Sequence, residues 1–394
     1  MPTSQSLTSF FARTDHSAIA RWWWTVDRSI LACLLVLMVV GVALVTSASP
    51  SVANRIGSDH SHFIMRHMIF VVPSLFIMVG ISILDHLWIR RIGTIVFAGT
   101  VFLMLLVPFV GPDIKGAQRW INVAGFSLQP SEFIKPAFAI LSAWLISHQK
   151  KNPDFRGNLF SALIYAFIVF LLMSQPDFGM TAVLTCMFAA QIFMAGLPLR
   201  YLCMMAILSS VAVVCVYYSF DHVRVRMDKF LNPHGTADTY QVDKSLEAFS
   251  NGGFFGMGPG QGTVKNSIPD VHADFIFAVS GEELGLLATL ALVGVYAFIL
   301  LRGFGRLMES NDMFVVLAAG GILSMFGLQA FVHMGSSLHL LPTKGMTLPF
   351  ISYGGSSILA MGFGMGVVLG LTRREARTSI ARAGMSLGAR LRGK

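Results

Sequence analysis

Apolar stretches of about 20 residues alternate with polar breaks ten times along the chain. They fall near 29–47, 67–84, 92–110, 131–147, 158–174, 179–196, 201–220, 275–301, 313–335 and 351–371. A helix rises 1.5 Å per residue, so roughly 17–25 apolar residues cross the hydrocarbon of a bilayer. The pattern predicts an all-α, polytopic membrane protein of about ten transmembrane helices. Pro73, Pro108, Pro136 and Pro198 lie in or beside these runs, which membrane helices tolerate when neighbours satisfy the freed backbone. Ser47-Ala48-Ser49 at the end of the first run looks like a leader cleavage site. A segment with Trp22, Trp23, Trp24 and Arg28 precedes that run, however, and clustered tryptophans read as an interfacial anchor. The first run is therefore expected to remain as a helix.

Composition narrows the class further. Charged residues are 12% of the chain against about 25% in soluble domains, 54% of residues are hydrophobic, and mean hydropathy is +0.67. That excludes an ordinary cytosolic enzyme, a disordered scaffold and a disulfide-stapled domain. Cys33, Cys186, Cys203 and Cys215 all sit inside apolar runs without the spacing of a metal or redox site. The net charge of +9 is a matter of topology rather than nucleic acid. With the N-terminus in the cytoplasm, 18 of the 29 lysines and arginines fall on inner segments. The positive-inside rule then places both termini in the cytoplasm. The expected organisation is a cytoplasmic tail 1–28, a ten-helix membrane domain 29–371 and a basic cytoplasmic tail 372–394, suited to lipid headgroups. Three outer connections, 111–130, 221–274 and 336–350, carry most of the polar chemistry, and the second is a loop of about 54 residues.

The candidate chemistry lies on those connections. Arg119 and Trp120 offer a planar, bidentate donor beside a stacking partner. Glu132 and Lys135 stand three apart at the start of the fourth run, as a structural pair or as a cation held for a pyrophosphate or carboxylate. Asp177 is placed to cap the sixth run. Residues 252–262 are rich in glycine and end near Gln261 and Lys265, but lack both nucleotide-binding patterns; a backbone close to a ligand or headgroup fits better. Asp274 stands at the mouth of the eighth run, two residues after His272. On a straight helix Glu282 and Glu283 lie about 12 Å deeper, where ionisable groups are paired or functional. Ser352, Ser356 and their small neighbours open the tenth run, for close helix packing or for lining a substrate.

Several of these strings occur together in one known family. Arg119-Trp120, Gln129-Pro-Ser-Glu-Phe-Ile-Lys135, Gln175-Pro-Asp-Phe-Gly179, the glycine-rich 252–262, His272-Ala-Asp-Phe-Ile-Phe277 and Leu348-Pro-Phe-Ile-Ser-Tyr-Gly-Gly-Ser356 follow in order. On them the chain resembles the SEDS family (shape, elongation, division and sporulation) from about Asp27 to Thr372. Glu282-Glu-Leu-Gly285, Phe350-Ile-Ser-Tyr353 and Trp22-Trp-Trp-Thr-Val-Asp-Arg28 look more like its division branch than its elongation branch. Ala273 stands where the family commonly has Thr, and Gln118 where a second Arg is frequent. The resemblance implies a peptidoglycan glycosyltransferase acting on lipid II outside the cytoplasmic (inner) membrane, at the division septum. Its implied partners are a class B penicillin-binding protein, other divisome proteins and membrane lipids, with no nucleic acid. Asp274 is the expected catalytic base. Arg119, Trp120, Glu132, Lys135, Gln261, Lys265, His272, Ser352 and Ser356 are the expected substrate contacts, and a divalent cation, Mg or Mn, is compatible although no ligand cluster identifies it. A lipid II flippase and a non-catalytic divisome scaffold are the rival readings. A transporter would place its polar site near the midplane, whereas the polar strings here gather at one side.

Overall fold

The computed structural model describes residues 17–57, 59, 62–114, 117–123, 125–219, 224–225, 227–228, 240–342 and 345–373. Most of the N-terminal tail and of the basic C-terminal tail therefore lie outside the described residues.

Each of the ten apolar runs is a helix. A short helix α1 (Ala18–Thr25), capped by Ser17, leads into α2 (Arg28–Ile56), which Asp27 caps by accepting from the N–H groups of Ser29 and Ile30. Next come α3 (His62–Ile83), α4 (His86–Val110), α5 (Pro130–Lys151), α6 (Gly157–Ser174), α7 (Phe178–Met194) and α8 (Leu199–Ser219). After α9 (Tyr240–Gly252) follow α10 (Ile276–Met308), α11 (Met313–Ser337) and α12 (Gly355–Leu371). Among the described residues, seven helices (α2, α3, α4, α6, α8, α10 and α11) are long and apolar enough to cross a membrane by themselves. The others differ for physical reasons. α7 and α12 have 17 residues each, or about 26 Å of helix. α5 carries Glu132 and Lys135, yet is almost wholly buried. A helix surrounded by helices can hold a charge pair that a lipid-facing one cannot.

The core is built on α5, α11 and α12, while α8 has no buried residue and stands at the periphery. Small residues let α12 and α3 approach closely. A methyl group at Gly362 would lie 2.3 Å from Ser74 Oγ, and one at Gly366 2.7 Å from the Met78 carbonyl oxygen.

Two features depart from the sequence expectation. The connection 221–274 is not a bare loop. It contains α9, whose Val242, Ser245 and Ala248 are buried, and a 3₁₀ turn at Val264–Ser267. The eighth span is also not straight. At Gly285 the backbone adopts φ 77° and ψ 177°, dividing α10 into a buried first segment and a long second one. Thr289 Oγ1 comes within 3.5 Å of Ser280 Oγ, although nine residues of straight helix would separate them by about 13 Å. The glycine-rich loop satisfies the groups exposed at the break. Met257 and Gly258 donate to the carbonyls of Glu282 and Glu283 at 2.9 and 3.0 Å, while Leu286 and Leu287 donate to those of Gly253 and Phe254 at 2.9 and 3.2 Å. Glu282 and Glu283 therefore do not lie within one continuous span. They end a short segment wrapped by this loop.

Between α4 and α5 stand two small antiparallel hairpins. β1 (Asp113–Ile114) pairs with β2 (Ala117–Gln118), and β3 (Ile121–Val123) with β4 (Phe126–Leu128) in the register Ile121↔Leu128. Hydrogen bonds gather these hairpins, the 175–177 turn, the 253–275 loop and the 345–354 strap at one end of the bundle. The opposite end is tied by Asp27, which accepts from Arg302 Nε at 2.8 Å and Arg306 Nη2 at 2.7 Å, and by Trp22 Nε1 donating to Ser82 Oγ at 2.8 Å. Burial alone would raise the Asp27 carboxyl, but the two guanidiniums hold it below the ordinary carboxylate value.

Candidate active site

Asp274 is half-buried on the turn that precedes α10. Its N–H and that of Ala273 both donate to the Asp270 carbonyl at 3.0 Å, and Asp270 takes the left-handed region at φ 49°. The strap before α12 lies against this turn. Ser352 Oγ donates to the Ala273 carbonyl at 2.7 Å, and the Tyr353 N–H donates to the His272 carbonyl at 2.9 Å. Gly345 runs past the carboxylate itself, since a methyl group there would lie 3.2 and 3.4 Å from the two oxygens. The expected residues Asp274, His272 and Ser352 are thus brought together.

The imidazole of His272 packs against the rings of Phe63 and Tyr353, with centroids 4.6 and 5.0 Å away, and those two rings touch each other edge-on. Burial pushes its pKa down to about 4, against the opposing pull of Asp270, so it is neutral at physiological pH. Burial also raises the Tyr353 phenol, which the neighbouring Arg66 pulls partly back. Phe63, Arg66, His67 and Tyr353 were not among the expected contacts. Tyr353 stood in the Leu348–Ser356 string, and Arg66 is a lone guanidinium at the start of an apolar run; Phe63 and His67 gave no signal apart from that run.

Arg119 is half-buried, and its guanidinium donates to the carbonyls of Gln175, at 2.9 Å, and Pro176. It therefore fastens the hairpins to the turn before α7, with Trp120 half-buried beside it. Asp177 caps α7 as expected, accepting from the Met180 N–H at 3.4 Å.

Several expected contacts sit inside the protein. Lys135 is wholly buried, donating to Glu132 Oε2 at 2.7 Å and Gln329 Oε1 at 3.0 Å, with Met180 Sδ 3.2 Å away. It does not snorkel towards the surface, because an interior carboxylate and amide are nearer than water. Lys265 is buried too, bonded to Glu283 and to Ser47 Oγ. Glu282 accepts from the N–H groups of Thr263, Val264 and Lys265 at 2.7, 2.7 and 2.9 Å, so this Glu pair is paired structure. Ser352 and Ser356 are buried and bonded within the protein as well. Ser352 Oγ also accepts from the Leu348 N–H at 2.8 Å, and Ser356 Oγ from that of Gln129 at 2.9 Å. Gln261 is exposed on the glycine-rich loop, with its N–H on the Gly258 carbonyl at 3.1 Å. Among the described residues no group of three or more His, Cys, Asp or Glu is placed to hold a metal ion.

Comparison with known proteins identifies the family. The family model for FtsW, RodA and SpoVE, described as "Cell cycle protein", matches residues 27–377. A Caulobacter vibrioides protein named "Probable peptidoglycan glycosyltransferase FtsW" is 42% identical over 94% of this chain and 95% of its own length. A Coxiella burnetii protein of the same name is 35% identical over 88% of this chain and 96% of its own. Among solved structures, a chain from "Structural coordination of polymerization and crosslinking by a peptidoglycan synthase complex" matches with a TM-score of 0.74. It is 24% identical, over 89% of this chain and 98% of that one. The chain is a polytopic membrane protein that belongs to the FtsW/RodA/SpoVE family.

Proposed function

We propose that this protein is a peptidoglycan glycosyltransferase that polymerises lipid II at the outer face of the bacterial cytoplasmic membrane, in septal wall synthesis beside a class B penicillin-binding protein. The observation that carries the reading is Asp274: a half-buried carboxylate on a turn held from both sides, at the end of the bundle where the loops gather. The acceptor's sugar hydroxyl attacks the anomeric carbon of the donor chain. A glycosidic bond forms, the anomeric C–O bond to pyrophosphate breaks, the hydroxyl proton passes to Asp274, and undecaprenyl pyrophosphate leaves. An ordinary aspartate, with pKa about 3.9, is a weak base, so its proton transfer accompanies bond cleavage rather than preceding it. For the departing pyrophosphate, Arg119 is the proposed cation among the residues expected from sequence. Lys135 and Lys265 are committed to Glu132 and Glu283, and support the site by holding α5 and the 263–267 turn in place.

The test is Asp274→Asn in the purified full-length protein, with and without its penicillin-binding partner. Losing a general base costs about 10²–10⁴ in rate. The variant is expected to fold, bind the partner and make no detectable glycan; near-normal glycan synthesis would overturn the assignment.

A further inference from the structure

We infer that Ser352 and the Tyr353 N–H form a clamp that positions Asp274, so that Ser352 is a positioning residue for the transfer and not a substrate contact. The inference rests on the role proposed for Asp274. Ser352 is fully buried, and its hydroxyl is used twice within the protein, accepting from the Leu348 N–H and donating to the Ala273 carbonyl. One residue on, the Tyr353 N–H holds the His272 carbonyl. The two carbonyls immediately before Asp274 are therefore both fixed by one strap.

That strap is itself held rigidly. Phe350 takes φ 65°, a left-handed conformation that a bulky side chain adopts only when its surroundings impose it. The surroundings here do so. The Phe350 ring is buried against Phe326, with centroids 6.3 Å apart, and the neighbouring Pro349 carbonyl accepts from Tyr296 Oη at 2.7 Å. The Ile351 and Ser352 N–H groups then close the turn onto the Leu348 carbonyl, each at 3.0 Å. A strained turn anchored on α10 and α11 is a firm base from which to hold a catalytic loop. Gly345, at the other end of the strap, passes beside the carboxylate, where an added methyl group would crowd both oxygens.

Ser352→Ala removes the hydroxyl and leaves the Ala273 carbonyl and the Leu348 N–H without their partner. Misplacing a reacting group by about 1 Å can cost roughly 100-fold in rate. Turnover of lipid II by the purified full-length protein is expected to fall about 10–100-fold, with KM within about twofold because the residue does not touch substrate. Amide exchange of the 268–277 peptide should quicken, and Ser352→Thr, which keeps the hydroxyl, should recover part of the turnover. Unchanged exchange together with wild-type turnover would refute the clamp. Faster exchange with wild-type turnover would leave the clamp standing and refute the role of Asp274. A rise in KM with unchanged kcat would return Ser352 to the substrate. If Ser352→Ala fails to fold, Ser352→Cys carries the test. A thiol is a weaker donor and acceptor than a hydroxyl, so turnover should fall and exchange of the 268–277 peptide should quicken; wild-type values of both would overturn the inference.

Discussion

Lys135 shows how far a residue's type leaves its role undecided. As a cation one turn into a membrane helix, it suggested a phosphate ligand that reaches the surface. Enclosed by Glu132, Gln329 and Met180, it is instead one half of a buried pair. Removing one partner of such a pair leaves an uncompensated charge and costs about 3–5 kcal/mol, whereas replacing both with apolar groups is often neutral. Lys135→Gln and Glu132→Gln are therefore each expected to lower the melting temperature clearly, and the double variant Glu132→Leu/Lys135→Met to recover much of the loss. Arg119 predicts the opposite pattern. It is half-buried, and its guanidinium is bonded to the backbone of the 175–176 turn, so Arg119→Lys should melt near wild type but turn over slowly, for lack of the guanidinium fork. Thermal melting beside lipid II binding and turnover separates the two. A Lys135→Gln protein that melts like wild type but has lost lipid II binding would restore the phosphate role.

At the scale of elements, what was legible depended on whether hydrophobicity alone decides the structure. The ten helices were readable because a span of about 20 apolar residues has few other ways to satisfy its backbone in lipid. α9 was not, since a polar, amphipathic helix of 13 residues looks like loop until a partner for Val242 and Ala248 is known. The break in α10 was hidden as well, because Gly285 follows Glu282-Glu283-Leu284 without any other helix-stop signal. In the site, Asp274 and His272 were recognisable from their motif, while the consumption of Lys265, Ser352 and Ser356 by internal partners depends on contacts between distant segments. The break makes a sharp prediction. Gly285 has φ 77°, and a methyl group there would lie 2.2 Å from the Gly256 nitrogen. Gly285→Ala should therefore destabilise the protein and expose the 253–267 loop to protease. Gly294→Ala, on the same helix with nothing within 4 Å, should be neutral or stabilising by up to about 1 kcal/mol, as alanine is in a helix. Equal melting temperatures for the two variants would mean that α10 runs straight in solution.

For the whole molecule, the distribution of charge between the two ends decides which way the protein sits in the membrane. At the Asp27 end, arginines lie against aromatic rings, as Arg28 does over Trp23 and Trp24, Arg91 over Trp88 and Arg90 over Trp144. Aromatic rings at headgroup depth with arginines beside them suit an anionic inner leaflet. At the Asp274 end, Arg119, Lys265 and Arg55 bond to the Gln175 and Pro176 carbonyls, to Glu283 and to the Asn266 carbonyl. The arginine–aromatic pairs mark the Asp27 end as the one that the positive-inside rule assigns to the cytoplasm. This orientation can be checked without a bulky reporter. Phe254 is 66% exposed at the Asp274 end and Met308 is 89% exposed at the other. In a variant lacking the four native cysteines, Phe254→Cys should react with a membrane-impermeant thiol reagent on intact spheroplasts, and Met308→Cys only after the membrane is opened. A reporter fused after Asp238 or after Lys394, positions outside the described residues, should agree by lying outside and inside respectively. Labelling of Met308→Cys but not Phe254→Cys on closed spheroplasts would place Asp274 in the cytoplasm. It would then be on the wrong side to extend glycan outside the membrane, and the polymerase reading would fall with the topology.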